Sequence, residues 1–180
     1  ATTDIYTVSL HDALPISCYP EFQFVIAGVS YVNPKLYEKA RSNLSIPIVF
    51  NQTYDLLNHA HTALVASGTA TLETALLGVP QTVVYRVEGG WLVQFIMKQF
   101  FLKIKWASLP NLILNKEAIK EYIQMNMTFK NIKNELHRLF YEEEYRERII
   151  NDYKKLRILL GECGSSARAA KKMVELSKNA

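Results

Sequence analysis

Cysteine is scarce in this 180-residue chain: Cys18 and Cys163 are the only two, and neither belongs to a CxxC pair. Two isolated thiols exclude a disulfide scaffold and a cysteine-built zinc site, and they favour a reducing, cytoplasmic setting. No apolar run approaches the ~18 residues that a spanning helix needs. No GxGxxG follows a strand-like run and no GKS/T is present, so dinucleotide and P-loop chemistry find no support. Residues 2–17 lack a basic n-region, carry Asp4 and Asp12, and show no sustained helical or strand period. The expectation is that 1–17 form a non-native leader and that evolved sequence begins near Cys18, the alternative being an irregular N-terminal arm.

What the chain does have is ordinary globular material. Hydrophobic residues make up 49% and charged residues 21%, which excludes disordered and fibrous classes. The charge is uneven. Residues 1–90 carry 4 Lys/Arg against 7 Asp/Glu, a net of −3, while 91–180 carry 17 against 10, a net of +7. A basic second half suggests that it faces something anionic: phosphate, nucleic acid or lipid headgroups.

From Tyr19 onward short apolar runs alternate with helical patterns, the signature of βα units around a parallel sheet. Strands are expected at 22–27, 46–50, 63–66 and 81–85. Helices are expected at 33–43, 53–60 and from the 67–69 turn through Leu77. Past Arg86 the spacing predicts a helix over 91–101, a half-buried strand over 102–107 and a turn at 108–111. Helices follow at 116–124, 128–140, 143–160 and 165–178, with Thr128 as an N-cap. The predicted class is α/β: a Rossmann-like parallel sheet with flanking helices, followed by a helical C-terminal region.

The sharpest chemical feature lies in residues 63–86, ALVASGTATLETALLGVPQTVVYR. A strand runs into Ser67-Gly68-Thr69, and a helix starts there. The first amides of a helix lack intrahelical acceptors and carry the positive end of the macrodipole. Gly68 lets an anion approach the backbone, and Ser67 and Thr69 add hydroxyls, so a phosphate cradle forms without lysine. Glu73 falls one turn beyond Thr69 on the same face. A carboxylate there can accept two hydrogen bonds from a ribose diol, so the spacing suits a nucleotide diphosphate. The plainer alternative is that SGT is only a helix cap and Glu73 only a dipole partner.

That segment, preceded by NQTYDLLNHAHTALVA and followed by S-L-P-N-L-I, resembles the C-terminal half of the lipid-A-disaccharide synthase family. These are the inverting GT-B glycosyltransferases of family 19 in Gram-negative bacteria, and the resemblance has a Bacteroidetes-like flavour. It runs from about Tyr19 to the C-terminus. It implies transfer of 2,3-diacylglucosamine from UDP-2,3-diacylglucosamine to 2,3-diacylglucosamine 1-phosphate, with UDP as leaving group. By the same resemblance Ser67, Gly68 and Thr69 meet the diphosphate and Glu73 the ribose. Gln52 and Thr53 lie near the uracil, and Tyr85, Arg86 and Asn111 lie beside the donor sugar or diphosphate. Asn111 as a turn-closing residue and Arg86 as a surface ion-pair partner are the rival readings.

The resemblance departs from a whole GT-B enzyme in having one Rossmann-like half. The catalytic base is expected in the other half, and the fragment alone is expected to be inactive. No cofactor and no metal are implied, in keeping with the lack of a DxD sequence; His59 and His61 fall on different faces if helical. The implied setting is cytoplasmic, peripheral to the inner membrane. Trp91, Phe95, Lys98, Phe100, Phe101 and Lys103 combine aromatic bulk with cations, which suits acyl chains and an anionic membrane surface. A buried helix or a homodimer contact accounts for the same stretch. Mixed-sign helices over 128–160 read as solvated faces, so no nucleic acid is expected. The rivals to the family reading are another UDP-sugar GT-B enzyme, such as a lipid II-forming transferase or a UDP-sugar 2-epimerase, and a non-catalytic amphipathic module.

Overall fold

Val83 and Val84 are neighbours in one strand, yet they enter different cores. Val83 packs with Ala75, Ile119, Leu139, Ile149 and Leu156, whereas Val84 packs with Tyr19, Met127, Ile132, Leu136 and Phe140. Side chains of a strand alternate between faces, so a strand that is apolar at consecutive positions is covered on both. In the computed structural model, which describes residues 15–41, 45–66, 68–85, 105–161 and 164–178, that strand lies at the centre of a three-stranded parallel sheet.

Its elements in order are β1 (Ile26–Gly28), α1 (Pro34–Arg41), β2 (Ile48–Phe50), α2 (Thr53–His59), β3 (Ala63–Ala66), α3 (Thr69–Leu76) and β4 (Gln81–Tyr85). Then come α4 (Leu109–Leu114), β5 (Glu121–Ile123), α5 (Phe129–Tyr141), α6 (Glu143–Leu160) and α7 (Ser165–Lys178). β1 and β2 form a separate parallel pair, with Ile26 opposite Ile48 and Gly28 opposite Phe50. β3, β4 and β5 run in parallel, Ala66 opposite Val84 and Tyr85 opposite Ile123. The α/β reading with a helical C-terminal region holds.

Five expectations need correction. The first strand is three residues rather than six, because Phe22 and Phe24 leave the ladder to pack on Phe140; the Phe22 and Phe140 rings stack at 3.9 Å. The second starts at Ile48, since Pro47 has no amide to donate. Residues 108–111 are no turn: Ser108 is the N-cap and Pro110 stands in the first turn of α4, where a missing N–H costs nothing. The helix expected over 116–124 is instead a turn and the strand β5. The expected 91–101 helix lies outside the described residues, as does 102–104; residues 105–107 form no strand.

The helical layer is fastened through its ends. Thr128 Oγ1 accepts from the Asn131 amide at 3.2 Å, as its N-cap position predicts. Arg146 donates to the Leu139 and Phe140 carbonyls at 3.2 and 2.9 Å, satisfying acceptors that the end of α5 leaves open. Between α5 and α6 lies Glu135, only 2% exposed. Tyr145 Oη donates to its carboxylate, Tyr122 Oη donates from 3.3 Å, and Arg138 stands 3.8 Å away. Burial outweighs these partners and holds the carboxyl above the usual carboxylate range.

The folded state therefore binds this proton more tightly than the unfolded chain. Its contribution to stability is full below the ordinary glutamate value and is lost as pH rises through the raised one. Glu135→Gln keeps an acceptor for the tyrosines without the charge. Urea denaturation across about pH 4 to 8 is expected to show the variant gaining on the parent as pH rises.

Candidate functional site

The turn before α3 is shaped by Thr71. Its amide and its Oγ1 both donate to the Gly68 carbonyl, at 3.2 and 2.7 Å. This double hold turns the carbonyl inward along the helix. The amides of Gly68, Thr69 and Ala70 have no acceptor among the described residues, and all three residues are exposed. Gly68 adopts φ 126° and ψ −162°, a conformation open only to glycine. A Cβ built there would meet nothing within 4 Å. The approach to the amides is open.

Two remote side chains set where the turn stands. Gln81 is fully buried and donates through Nε2 to the Thr71 carbonyl at 2.8 Å and to Tyr153 Oη at 3.2 Å. At the other end of α3 the Arg157 guanidinium donates to the Leu76 carbonyl. The helix is thereby tied to β4 and α6 at its first turn and to α6 at its end. Glu73 sits one turn past Thr69 and is partly exposed, and among the described residues its carboxylate has no hydrogen-bond or ion-pair partner.

The remaining candidates divide. Because β3 and β4 are parallel, Ala66 opposite Val84, the 67–69 turn and Tyr85 stand at the same carboxyl edge of the sheet, where open α/β sheets bind ligands. Tyr85 is half-buried and partnered. Gln52 is the N-cap of α2 and exposed, and Thr53 is half-buried. Asn51, before them, takes φ 57° and accepts from the Ser30 amide at 3.1 Å, joining the loops that leave β1 and β2. Ser67, Arg86, Trp91, Phe95, Lys98, Phe100, Phe101 and Lys103 lie outside the described residues.

Asn111 stands apart from this edge, near the amino end of β5. It is 0% exposed, and every polar atom of its amide is engaged by the chain. Oδ1 accepts from the Ala118 and Ile119 amides at 2.8 and 3.0 Å; Nδ2 donates to the Ile119 carbonyl and to Glu121 at 2.8 and 2.7 Å. Glu121 also accepts from the Ala107 and Ser108 amides and from Ser108 Oγ. Gln81 and Glu121 are the organising residues that sequence reasoning passed over. The QTVVY run places Gln81 at a strand start, where burial of an amide has no local signal. Glu121 reads as a solvated helical charge until β5 is known.

Among the described residues no group of three or more His, Cys, Asp or Glu side chains is placed to hold a metal. His59 Nδ1 lies 2.8 Å from the Asp55 carbonyl, and no described helix is long and apolar enough to cross a membrane.

A parallel sheet flanked by helices, with an open, glycine-led turn at its carboxyl edge, places the chain in the α/β class. The family model for lipid-A-disaccharide synthetase (LpxB) matches residues 17–175, and the chain belongs to that family. It is 33% identical to the lipid-A-disaccharide synthase of Psychromonas ingrahamii over 165 residues, 89% of this chain and 42% of that protein. Against the synthase of Persephonella marina it is 38% identical over 125 residues, 69% of this chain and 32% of the other. For Gloeothece citriformis the figures are 31% over 175 residues, 90% and 45%. The chain thus spans less than half the length of these curated relatives.

Gly68→Ala forces a β-carbon into a backbone conformation that costs about 1–3 kcal/mol. Thermal denaturation is expected to show that loss. Asn111→Ala strands two buried amides and part of Glu121, at a cost of about 3 kcal/mol. Thermal denaturation is expected to read that loss as a lowered midpoint.

Proposed function

We propose that this chain is the donor-binding, C-terminal half of a GT-B glycosyltransferase of lipid A assembly. The reaction is transfer of 2,3-diacylglucosamine from its UDP carrier to 2,3-diacylglucosamine 1-phosphate, yielding the lipid A disaccharide and UDP. The observation that carries the reading is the open amide turn at Gly68–Ala70 with the uncommitted Glu73 carboxylate one turn behind it. Family membership supports the chemistry.

In this reading the diphosphate sits against the amides of residues 68–70 and the hydroxyls of Ser67 and Thr69. Glu73 accepts from the ribose hydroxyls, and Gln52 and Thr53 border the uracil. Tyr85 and Arg86 lie toward the sugar or diphosphate, and Asn111 acts by holding the 107–121 loop. As the glycosidic bond breaks, charge builds on the diphosphate. Fixed amides aimed at that charge stabilise it without reorganisation, so the step can proceed with no metal in the site. The acceptor and the general base are assigned to a second Rossmann-like half. The stretch containing Trp91, Phe95, Lys98, Phe100, Phe101 and Lys103 is assigned to acyl chains at an anionic, cytoplasmic membrane surface.

Calorimetric titration with UDP and UMP tests the site. The parent is expected to prefer UDP, and Glu73→Ala to weaken both by about tenfold through loss of charge-assisted hydrogen bonds. Equal UDP affinity in parent and Glu73→Ala defeats the ribose role; equal affinity for UDP and UMP defeats the diphosphate role.

A further inference from the structure

The Gly68 carbonyl and the Thr69 amide belong to one planar trans peptide, so the two point in opposite directions. Whatever holds the carbonyl therefore aims the amide. Here the holder is Thr71, whose N–H and Oγ1 both donate to that carbonyl, at 3.2 and 2.7 Å. With the carbonyl drawn in along α3, the Thr69 N–H is turned away from the helix.

Thr71 is held in its turn from the interior. Gln81 Nε2 donates to the Thr71 carbonyl at 2.8 Å and to Tyr153 Oη at 3.2 Å. The Tyr153 ring is packed with Ala75, Val83, Ile149 and Leu156, so its hydroxyl is a fixed point on α6. Thr71 and Gln81 are 0% exposed and Tyr153 is 4% exposed. Side chains so buried act through one another rather than on a ligand. The links run in series from α6, through the start of β4, to the peptide that carries the Thr69 amide. The far end of α3 has a separate attachment, the Arg157 guanidinium on the Leu76 carbonyl, about 10 Å along the helix axis from Thr69 at 1.5 Å per residue.

We propose that Thr71, Gln81 and Tyr153 are positioning residues that aim the Thr69 amide at the phosphates of a bound nucleoside diphosphate, and so set a preference for diphosphate over monophosphate. The inference rests on the assignment of the diphosphate to this turn, and it adds the interior residues that make the turn selective. An amide aimed in advance needs no ordering when the ligand arrives; loosening any link lets the peptide rock and returns that cost.

The test is calorimetric titration of the full 180-residue chain with UDP and with UMP, read as the ratio of the two affinities well below each variant's thermal midpoint. Thr71→Val removes the hydroxyl donor and keeps the branched shape. Gln81→Met keeps the side-chain length and removes the amide group. Tyr153→Phe removes a single hydroxyl, and it decides the matter where Gln81→Met fails to fold. The ratio is expected to fall about tenfold in Thr71→Val and Gln81→Met and about threefold in Tyr153→Phe. The fall comes from weaker UDP binding, with UMP affinity little changed because Glu73 still meets the ribose. Arg157→Met loosens only the far end of α3, so it is expected to lower the thermal midpoint while the ratio holds. A parent that binds UDP and UMP equally overturns the diphosphate assignment and this inference with it. A parent that prefers UDP, with the interior variants keeping its ratio, overturns this inference alone. So does a ratio that falls as far in Arg157→Met as in Gln81→Met, since the effect then belongs to the stability of α3 and not to the aim of an amide.

Discussion

The buried side chain of Gln81 is the contact on which the placement of the 68–70 turn depends. Its Nε2 holds the Thr71 carbonyl and Tyr153 Oη together, so one amide joins the first turn of α3, the start of β4 and the middle of α6. Among the described residues its Oε1 has no partner. Thr71 converts that anchorage into shape. With its carbonyl held by Gln81 and its own amide and hydroxyl on Gly68, the chain at 68–70 has little freedom left. A turn so constrained presents its amides already oriented, and preorganised dipoles need no rearrangement when charge arrives.

Much of this was legible beforehand where local and global preferences agree. β3, β4, α6 and α7 have the bounds that periodicity and breakers predict: Gly78 and Pro80 close α3 before β4, and Gly161 and Gly164 separate α6 from α7. The glycine turn at residue 68 and the start of α3 were legible for the same reason, since glycine and helix start are encoded within a few residues. What was not legible lies between residues 105 and 124. KEAIKEYIQ has the composition of a helix, but the Asn111 amide captures the Ala118 and Ile119 backbone, and β4 offers an edge to Glu121–Ile123. Tertiary pairing overrides a weak local preference of a few tenths of a kcal/mol per residue. The same holds for Phe22 and Phe24, whose β-like alternation serves an aromatic contact with Phe140 instead of a ladder.

The positive charge of the second half can now be apportioned. Lys116 pairs with the buried Asp152 at 2.6 Å. Arg138 lies over the Tyr145 ring and reaches Glu142. Arg146 and Arg157 bind helix carbonyls. These four cations hold α3, α5, α6 and the segment before β5 to one another. Charge reversal tests that assignment at Arg146, where it strands two helix carbonyls and is read in stability.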